Sequence, residues 1–126
     1  MGDDRPDDAV SPAEAEDLRR RLGEQAVELR RQTAGAEARK AQLWADCLLD
    51  AADAGSATEA LTRHVSETER ALTLLARVEE ALDRFEDGGY GHCVQCGEAI
   101  DGERLRAFPH VERCLRCESR GAARSG

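Results

Sequence analysis

Four cysteines near the C-terminus are the residues of this chain whose type and spacing best fit a chemical role. They form two pairs, Cys93-Val-Gln-Cys96 and Cys114-Leu-Arg-Cys117, and 17 residues separate the pairs. Each pair can place two thiolates on one cation, and the joining segment is long enough to fold back and complete a tetrahedron. The pattern therefore predicts a structural zinc site, with two disulfides as the main alternative.

The rest of the chain favours zinc over disulfides. The chain does not begin with an apolar signal segment, and no apolar run is long enough to span a membrane. These features predict a cytoplasmic protein. Cys47 would also stay unpaired in a secreted protein. Four thiolates leave no position for a water ligand, so we expect one structural Zn²⁺ and no enzymatic activity. His92 and His110 flank the cysteines and are expected to lie outside the ligand set.

The charge of the chain indicates what kind of partner it has. The 126 residues carry a formal net charge of −8, and 35% of them are charged. Duplex binding depends on neutralising phosphates, so an acidic chain is poorly matched to it. We therefore expect a protein partner and no specific DNA binding. A DNA-binding zinc ribbon and a thiol redox sensor built on the zinc cysteines remain as alternatives.

Long helical patterns precede the cysteines and must position them. Residues 1–10 are acidic, lack periodicity and are predicted to be a disordered tail. Ser11 can cap a helix whose N3 residue, Glu14, completes a capping box. Apolar residues then recur at steps of three, four and seven, which predicts an amphipathic helix over residues 12–54. These residues are Leu18, Leu22, Leu29, Ala36, Leu43 and Cys47.

A second helical pattern follows at once. Ser56 resembles an N-cap, Gly55 can end the first helix, and apolar residues continue to a Gly88-Gly89 stop, which predicts a helix over residues 57–87. Such a short turn leaves neighbouring helices antiparallel. We therefore predict a mainly α fold: a long antiparallel coiled-coil hairpin over residues 11–87, and a small Cys₄ zinc-finger domain.

The boundaries and association state follow from this arrangement. The hairpin has its tip at residues 50–56, and the zinc-binding domain with a short basic tail covers residues 88–126. The alternative is that the two helices separate and dimerise through their apolar stripes. A tight turn and a matched partner stripe favour self-pairing, so we expect a monomer. Trp44 is expected in the core, and Phe108 is expected to pack in the zinc domain.

Two carboxylates mark the predicted tip. Asp50 and Asp53 are three residues apart at the end of the first predicted helix and share one face. The helix dipole at that end favours cations, so the pair costs a few tenths of a kcal/mol per residue. One interpretation is solubilising charge at a turn. The other is that a narrow pair of helices presents two anions to a partner.

The cysteine segment resembles one family in detail. Gly89-Tyr-Gly-His-Cys-Val-Gln-Cys-Gly-Glu-Ala-Ile100, then Arg104-Leu-Arg-Ala-Phe-Pro109 and the second cysteine pair, are similar to the zinc module of the DksA/TraR family. In that family a long helical hairpin precedes the module. The resemblance implies a bacterial transcription regulator that binds RNA polymerase through its secondary channel and modulates initiation.

The resemblance also implies particular site residues. The family has a tip motif of two aspartates, D-x-x-D-x-A, which this chain matches at Asp50 and Asp53, with Gly55 in place of the alanine. Members of the family often act with the alarmone ppGpp, whose phosphates require clustered Arg or Lys. Arg70 and Arg77 in the second helical pattern are the candidates for that contact.

Overall fold

The computed structural model describes residues 10–49 and 54–125, and these residues are mainly helical. Five α-helices cover most of them: α1 (Pro12–Ala34), α2 (Ala36–Leu49), α3 (Ala54–Asp87), α4 (Gly102–Ala107) and α5 (Leu115–Ser125). The pairing of His92 with Ala99 is an isolated antiparallel bridge. No described helix has an apolar stretch that is long enough to cross a bilayer.

The described residues divide into two compact units. The cysteine unit contains residues 10–25 and 77–125, and the helical unit contains residues 26–49 and 54–76. Predicted tail residues 1–9 lie outside the described residues, whereas Val10 packs against the core of the cysteine unit.

The start of α1 follows the predicted capping box. The hydroxyl of Ser11 accepts the backbone N–H of Glu14 at 3.2 Å, and the Glu14 carboxylate accepts the backbone N–H of Ser11. These bonds satisfy backbone donors that have no acceptor inside the helix. The predicted first helix begins where the sequence indicates.

The first predicted helix is not continuous, which corrects the sequence interpretation. It is interrupted at Gly35, between α1 and α2, where a residue without a Cβ weakens helix propagation. The second predicted helix corresponds to α3, which begins at Ala54. Ser56 therefore lies in its first turn and does not cap it. Gly55 likewise belongs to α3 and does not end the preceding helix.

The end of α3 agrees with the Gly88-Gly89 stop. Gly88 has a φ of +83°, and the N–H of Gly89 donates to the carbonyl of Arg84 at 2.9 Å. This is the bond of a Schellman cap, for which a left-handed glycine is favoured because it has no Cβ to clash. The cap turns the chain from the helix directly into the first cysteine pair.

Each unit buries part of its predicted apolar stripe together with neighbouring alanines. In the cysteine unit, Leu18 and Leu22 of α1 are buried, as are Val78 and Ala81 of α3. In the helical unit the buried side chains are Ala26, Leu29, Ala36 and Leu43. There α1 and α2 lie antiparallel to α3. His64 contacts Ala36, and residues of α3 that follow His64 line a cleft with residues of α1 that precede Ala36. The predicted fold class is confirmed.

Some apolar residues were assigned wrongly to the core. Trp44, expected in the core, is 57% exposed, and Phe108, expected to pack in the zinc domain, is 55% exposed. Leu72, one of the apolar residues whose spacing predicts the second helix, is 49% exposed. Leu72 adjoins the inward face of α3, but the turn of the helix carries its side chain outward at that point. A heptad count does not resolve this one-residue difference in a helix of 3.6 residues per turn.

Candidate metal centre

The first cysteine pair lies in a tight turn held by its own backbone. The N–H of Cys93 donates to the carbonyl of Glu98 at 2.8 Å, and the N–H of Gly97 returns to the carbonyl of Cys93 at 2.9 Å. Gly97 has a φ of +79°, a conformation that costs least for a residue without a Cβ. The N–H of Gln95 donates to the sulfur of Cys93 at 3.4 Å, which favours a thiolate there.

The second cysteine pair begins α5. Cys114 directly precedes this helix and Cys117 lies in its first turn, where the N–H of Glu118 donates to the Cys114 carbonyl at 3.0 Å. Unpaired N–H groups and the helix dipole make a helix N-terminus favourable for anions. The start of α5 therefore places both cysteines of this pair beside its N-terminus.

The fold brings all four sulfurs together. The Sγ atoms of Cys93, Cys96, Cys114 and Cys117 all lie within 4.8 Å of one another. Those of Cys96 and Cys114 are 3.8 Å apart. Four sulfurs at about 2.3 Å from a tetrahedral zinc ion are about 3.8 Å from each other. The donor set and its spacing therefore fit zinc.

The sulfurs differ strongly in acidity. Burial raises the pKa of Cys93, but the backbone N–H groups of Cys114 and Cys96 more than offset it and bring that pKa to about 6. Burial raises the pKa of Cys117 to about 12, and the hydrogen bonds that its S–H donates to the neighbouring cysteine sulfurs act in the same direction. Cys93 thus loses its proton readily and Cys117 retains its own, and a divalent cation is what allows both to bind as thiolates.

The arrangement of ligands is closed. Cys93 and Cys117 are buried, and Cys96 is exposed at the surface. Four thiolate ligands complete a tetrahedron, so this donor set suits a structural ion and leaves no place for a substrate. His92 is exposed and His110 is half-buried, and neither belongs to the group of potential ligands found among the described residues.

A small apolar core lies beside the cysteines. Leu18 of α1 packs with Ile100, Leu105 and the two buried cysteines. Tyr90 stacks on Phe85 of α3 with the ring centroids 3.9 Å apart, and its hydroxyl donates to the carbonyl of Pro109 at 2.9 Å. Burial raises the pKa of Tyr90 to about 12, so this hydroxyl keeps its proton and remains a donor.

The interpretation of the sequence did not assign two arginines to the neighbourhood of the cysteines. The guanidinium of Arg116 hydrogen bonds to the sulfur of Cys96, and that contact raises its pKa. Its place inside the second C-x-x-C pair was the available signal. The guanidinium of Arg106 binds Glu14 of α1. Nothing in the sequence relates these two residues, because they are far apart in the chain.

Two of the other predicted site residues lie outside the described residues, and three lie along α3. Asp50 and Asp53 lie outside the described residues. Gly55 is exposed in the first turn of α3. Arg70 and Arg77 are exposed residues of α3 that belong to different compact units. The Arg77 guanidinium lies 3.7 Å from the carboxylate of Glu112, so a carboxylate is already beside one of the two candidate phosphate ligands.

Comparison with known proteins identifies relatives of the cysteine unit. Residues 88–120 match the model of the prokaryotic dksA/traR C4-type zinc finger. The RNA polymerase-binding transcription factor DksA of Caulobacter vibrioides is 37% identical over 67 residues, covering 46% of this chain and 47% of the relative. The protein of that name from Escherichia coli is 29% identical over 70 residues, covering 56% and 46%. The chain thus spans about half the length of these curated relatives.

A solved structure corresponds over a longer span. The transcription factor DksA2 from Pseudomonas aeruginosa matches with a TM-score of 0.75 and 28% identity. The match covers 97% of this chain and 93% of that one. The similarity therefore includes the helices as well as the cysteine segment, and the relatives are transcription factors and not enzymes, as expected for this chain.

Proposed function

This chain belongs to the DksA/TraR family, and from that premise we propose that it regulates transcription by binding RNA polymerase. The polymerase is the partner, the protein acts as a monomer in the cytoplasm, and it binds neither specific DNA nor membranes. The net charge of −8 supports a protein partner, because an acidic chain gains little from contact with phosphates.

One observation carries this proposal. The correspondence with the transcription factor DksA2 extends over nearly the whole of both chains. A zinc finger alone is shared by proteins with many functions, so the cysteines by themselves would support only a structural role. The helices that precede them here match as well, and they are the part through which a hairpin could reach a partner.

The proposed action is that the helical hairpin enters the secondary channel of the polymerase and modulates initiation with an acidic tip. Asp50 and Asp53 supply two carboxylates, and Gly55 lies where the family motif has alanine. Carboxylates near the magnesium or the mobile loops of the polymerase would change local electrostatics without turning over any substrate. Residues 50–53 directly join α2 to α3, which supports their assignment to the tip.

The proposed cofactor is one structural Zn²⁺ per chain, held by Cys93, Cys96, Cys114 and Cys117. The ion supplies a crosslink between the turn after α3 and the start of α5. Bound zinc of this kind is worth on the order of 10 kcal/mol, which is large compared with what so small a core provides. The cysteine unit then holds α1 and the end of α3 beside each other.

The proposal is tested with purified RNA polymerase and two matched variants. Asp53→Asn removes one charge from the proposed tip, and Asp46→Asn makes the same change at an exposed position of α2. Polymerase affinity and the lifetime of promoter open complexes are measured for each. We expect Asp53→Asn to bind with unchanged affinity but to lose its effect on the lifetime, and Asp46→Asn to behave as wild type. If wild type does not bind the polymerase, the proposal is wrong.

The exposure of Cys96 favours a second function, thiol redox sensing, which can coexist with the first. Peroxide would take two electrons from a pair of thiolates, form a disulfide and release the zinc ion. The sulfur of Cys96 lies 3.8 Å from that of Cys114, so these two are the expected pair. Release of zinc at sub-stoichiometric peroxide, detected with a metal indicator, would support this function, and retention at excess peroxide would exclude it.

A further inference from the structure

Steric constraints do not require a glycine at the break between α1 and α2. A Cβ at Gly35 would meet no atom within 4 Å, and the glycine does not have a positive φ. Neither crowding nor a left-handed backbone therefore requires glycine at this position. The low helix propensity of glycine permits the interruption, and the residues around it show which contacts the start of α2 makes.

His64 of α3 makes one of those contacts. Its Nε2 atom lies 3.0 Å from the carbonyl oxygen of Ala36, the first residue of α2. A carbonyl oxygen only accepts hydrogen bonds, so Nε2 carries the proton and donates it. The bond joins residues 28 positions apart and ties the beginning of α2 to α3.

Polar side chains surround this bond. The hydroxyl of Thr33 donates to the carbonyl of Leu29 at 2.9 Å, a bond within a helix that tends to bend it. A cleft of about 260 Å³ opens at the same place. It is lined by Gln32, Thr33, His64, Glu67, Thr68 and Ala71. Leu29 before the break and Leu43 after it are buried, so this polar layer interrupts an apolar seam.

We propose that His64 is a positioning residue that fixes the register of α2 against α3. An apolar seam tolerates sliding, because one leucine can replace another in the same hole. A partly buried imidazole with one carbonyl acceptor does not, because any other register leaves a polar group without a partner. The bond thereby sets where the C-terminal end of α2 lies. Its importance for regulation rests on the proposed function.

Loss of the His64 bond should change the register of α2 against α3 without lowering the thermal stability. His64→Leu removes the donor but places an apolar side chain in a helical seam, so we expect unchanged or greater thermal stability. Without the bond, we expect the amides of residues 36–43 to exchange with solvent about fivefold faster, as the loss of one hydrogen bond allows. The effect on open-complex lifetime should fall about tenfold, because small displacements of an acting group have large consequences.

Rescue by a donor is the test that a purely structural role would not pass. His64→Gln keeps an N–H donor of similar reach and should restore both the exchange rate and the effect on initiation. His64→Met, which has no donor, should resemble His64→Leu and replaces it if the leucine variant does not fold. Thr62→Leu adds an apolar side chain at an exposed position of α3 and serves as the control.

The experiment measures exchange by mass spectrometry, contacts between α2 and α3 by NMR, and open-complex lifetime with purified polymerase. Altered contacts in His64→Leu, restored in His64→Gln, would support the inference. Unaltered contacts and exchange in His64→Leu, or failure of glutamine to rescue, would overturn it. If wild type has no effect on the polymerase, the proposed function fails, whereas exchange and NMR contacts still decide the register.

Discussion

The guanidinium of Arg106 in α4 binds both carboxylate oxygens of Glu14 in the first turn of α1, 92 residues earlier in the chain. The same carboxylate accepts the backbone N–H of Ser11, so one side chain both caps α1 and docks α4 against it. Two-point binding between guanidinium and carboxylate fixes geometry as well as charge. The helix start and the cysteine segment are thereby joined within one unit.

This contact predicts a specific dependence of stability on pH. The Arg106 hydrogen bond is the main reason why the pKa of Glu14 lies below its ordinary value of 4.5. A carboxylate with a depressed pKa stabilises the fold above its unfolded-state pKa, and the contribution disappears as the pH falls through the folded-state value. The stability difference between wild type and Glu14→Gln should therefore be constant from pH 6 to 8 and shrink below about pH 4.5.

Urea unfolding at a series of pH values measures this difference. Acid also protonates the cysteine thiolates, but it does so in both proteins, so the difference isolates Glu14. Glu16→Gln removes an exposed carboxylate of the same helix and should give a smaller difference at every pH. A difference between wild type and Glu14→Gln that persists unchanged at acidic pH would contradict the prediction.

Two glycines should respond to alanine with opposite signs. Gly97 has a φ of +79° between the first two cysteines and the bridge, so Gly97→Ala should destabilise the protein by about 1–2 kcal/mol. Gly23 lies inside α1, where a Cβ would meet nothing within 4 Å, so Gly23→Ala should stabilise by about 0.5–1 kcal/mol. Urea unfolding of both variants checks the signs, and equal signs would show that backbone conformation does not control the effect.

The elements that local chemistry controls were predictable from the sequence. Ser11 with Glu14 marks a helix start, and Gly88 marks a helix end, through hydrogen bonds between residues a few positions apart. The two C-x-x-C pairs were predicted to meet because a cation requires several thiolates together. The sequence does not settle which residues occupy the tip, and Asp50 and Asp53 remain predictions.

The features that failed are helix boundaries and one side chain assigned to the core. The first predicted helix is interrupted at Gly35, and the Ser56 start signal was overridden by a helix that begins at Ala54. Trp44 was expected in the core because it lies next to the apolar stripe of the first predicted helix. It faces outward because Leu43 already occupies the inward position next to it, and a pattern along one helix cannot reveal that choice.

Glu112 should limit any contribution of Arg77 to binding ppGpp. Its carboxylate lies 3.7 Å from that guanidinium and competes with a phosphate for it. Because exposed ion pairs are worth at most about 1 kcal/mol, Glu112→Gln should strengthen ppGpp binding in the polymerase complex by no more than about fivefold. Glu118→Gln, whose carboxylate pairs with Arg113 instead, is the control. Tighter binding in the control alone would assign the phosphate contact to Arg113.

Removal of the metal should unfold the cysteine unit, and Cys47 should not contribute to metal binding. The core that Leu18, Ile100 and Leu105 form with two of the cysteines is too small to replace a bound ion worth on the order of 10 kcal/mol. Cys93→Ser, or chelation of wild type, should therefore abolish protection of the α4 and α5 amides from exchange. Cys47→Ser should keep one zinc per chain and full protection, because Cys47 is not among the four clustered sulfurs. Metal analysis and hydrogen exchange on the three samples decide the matter, and protected α4 and α5 amides in the chelated protein would mean that the apolar contacts alone hold this unit together.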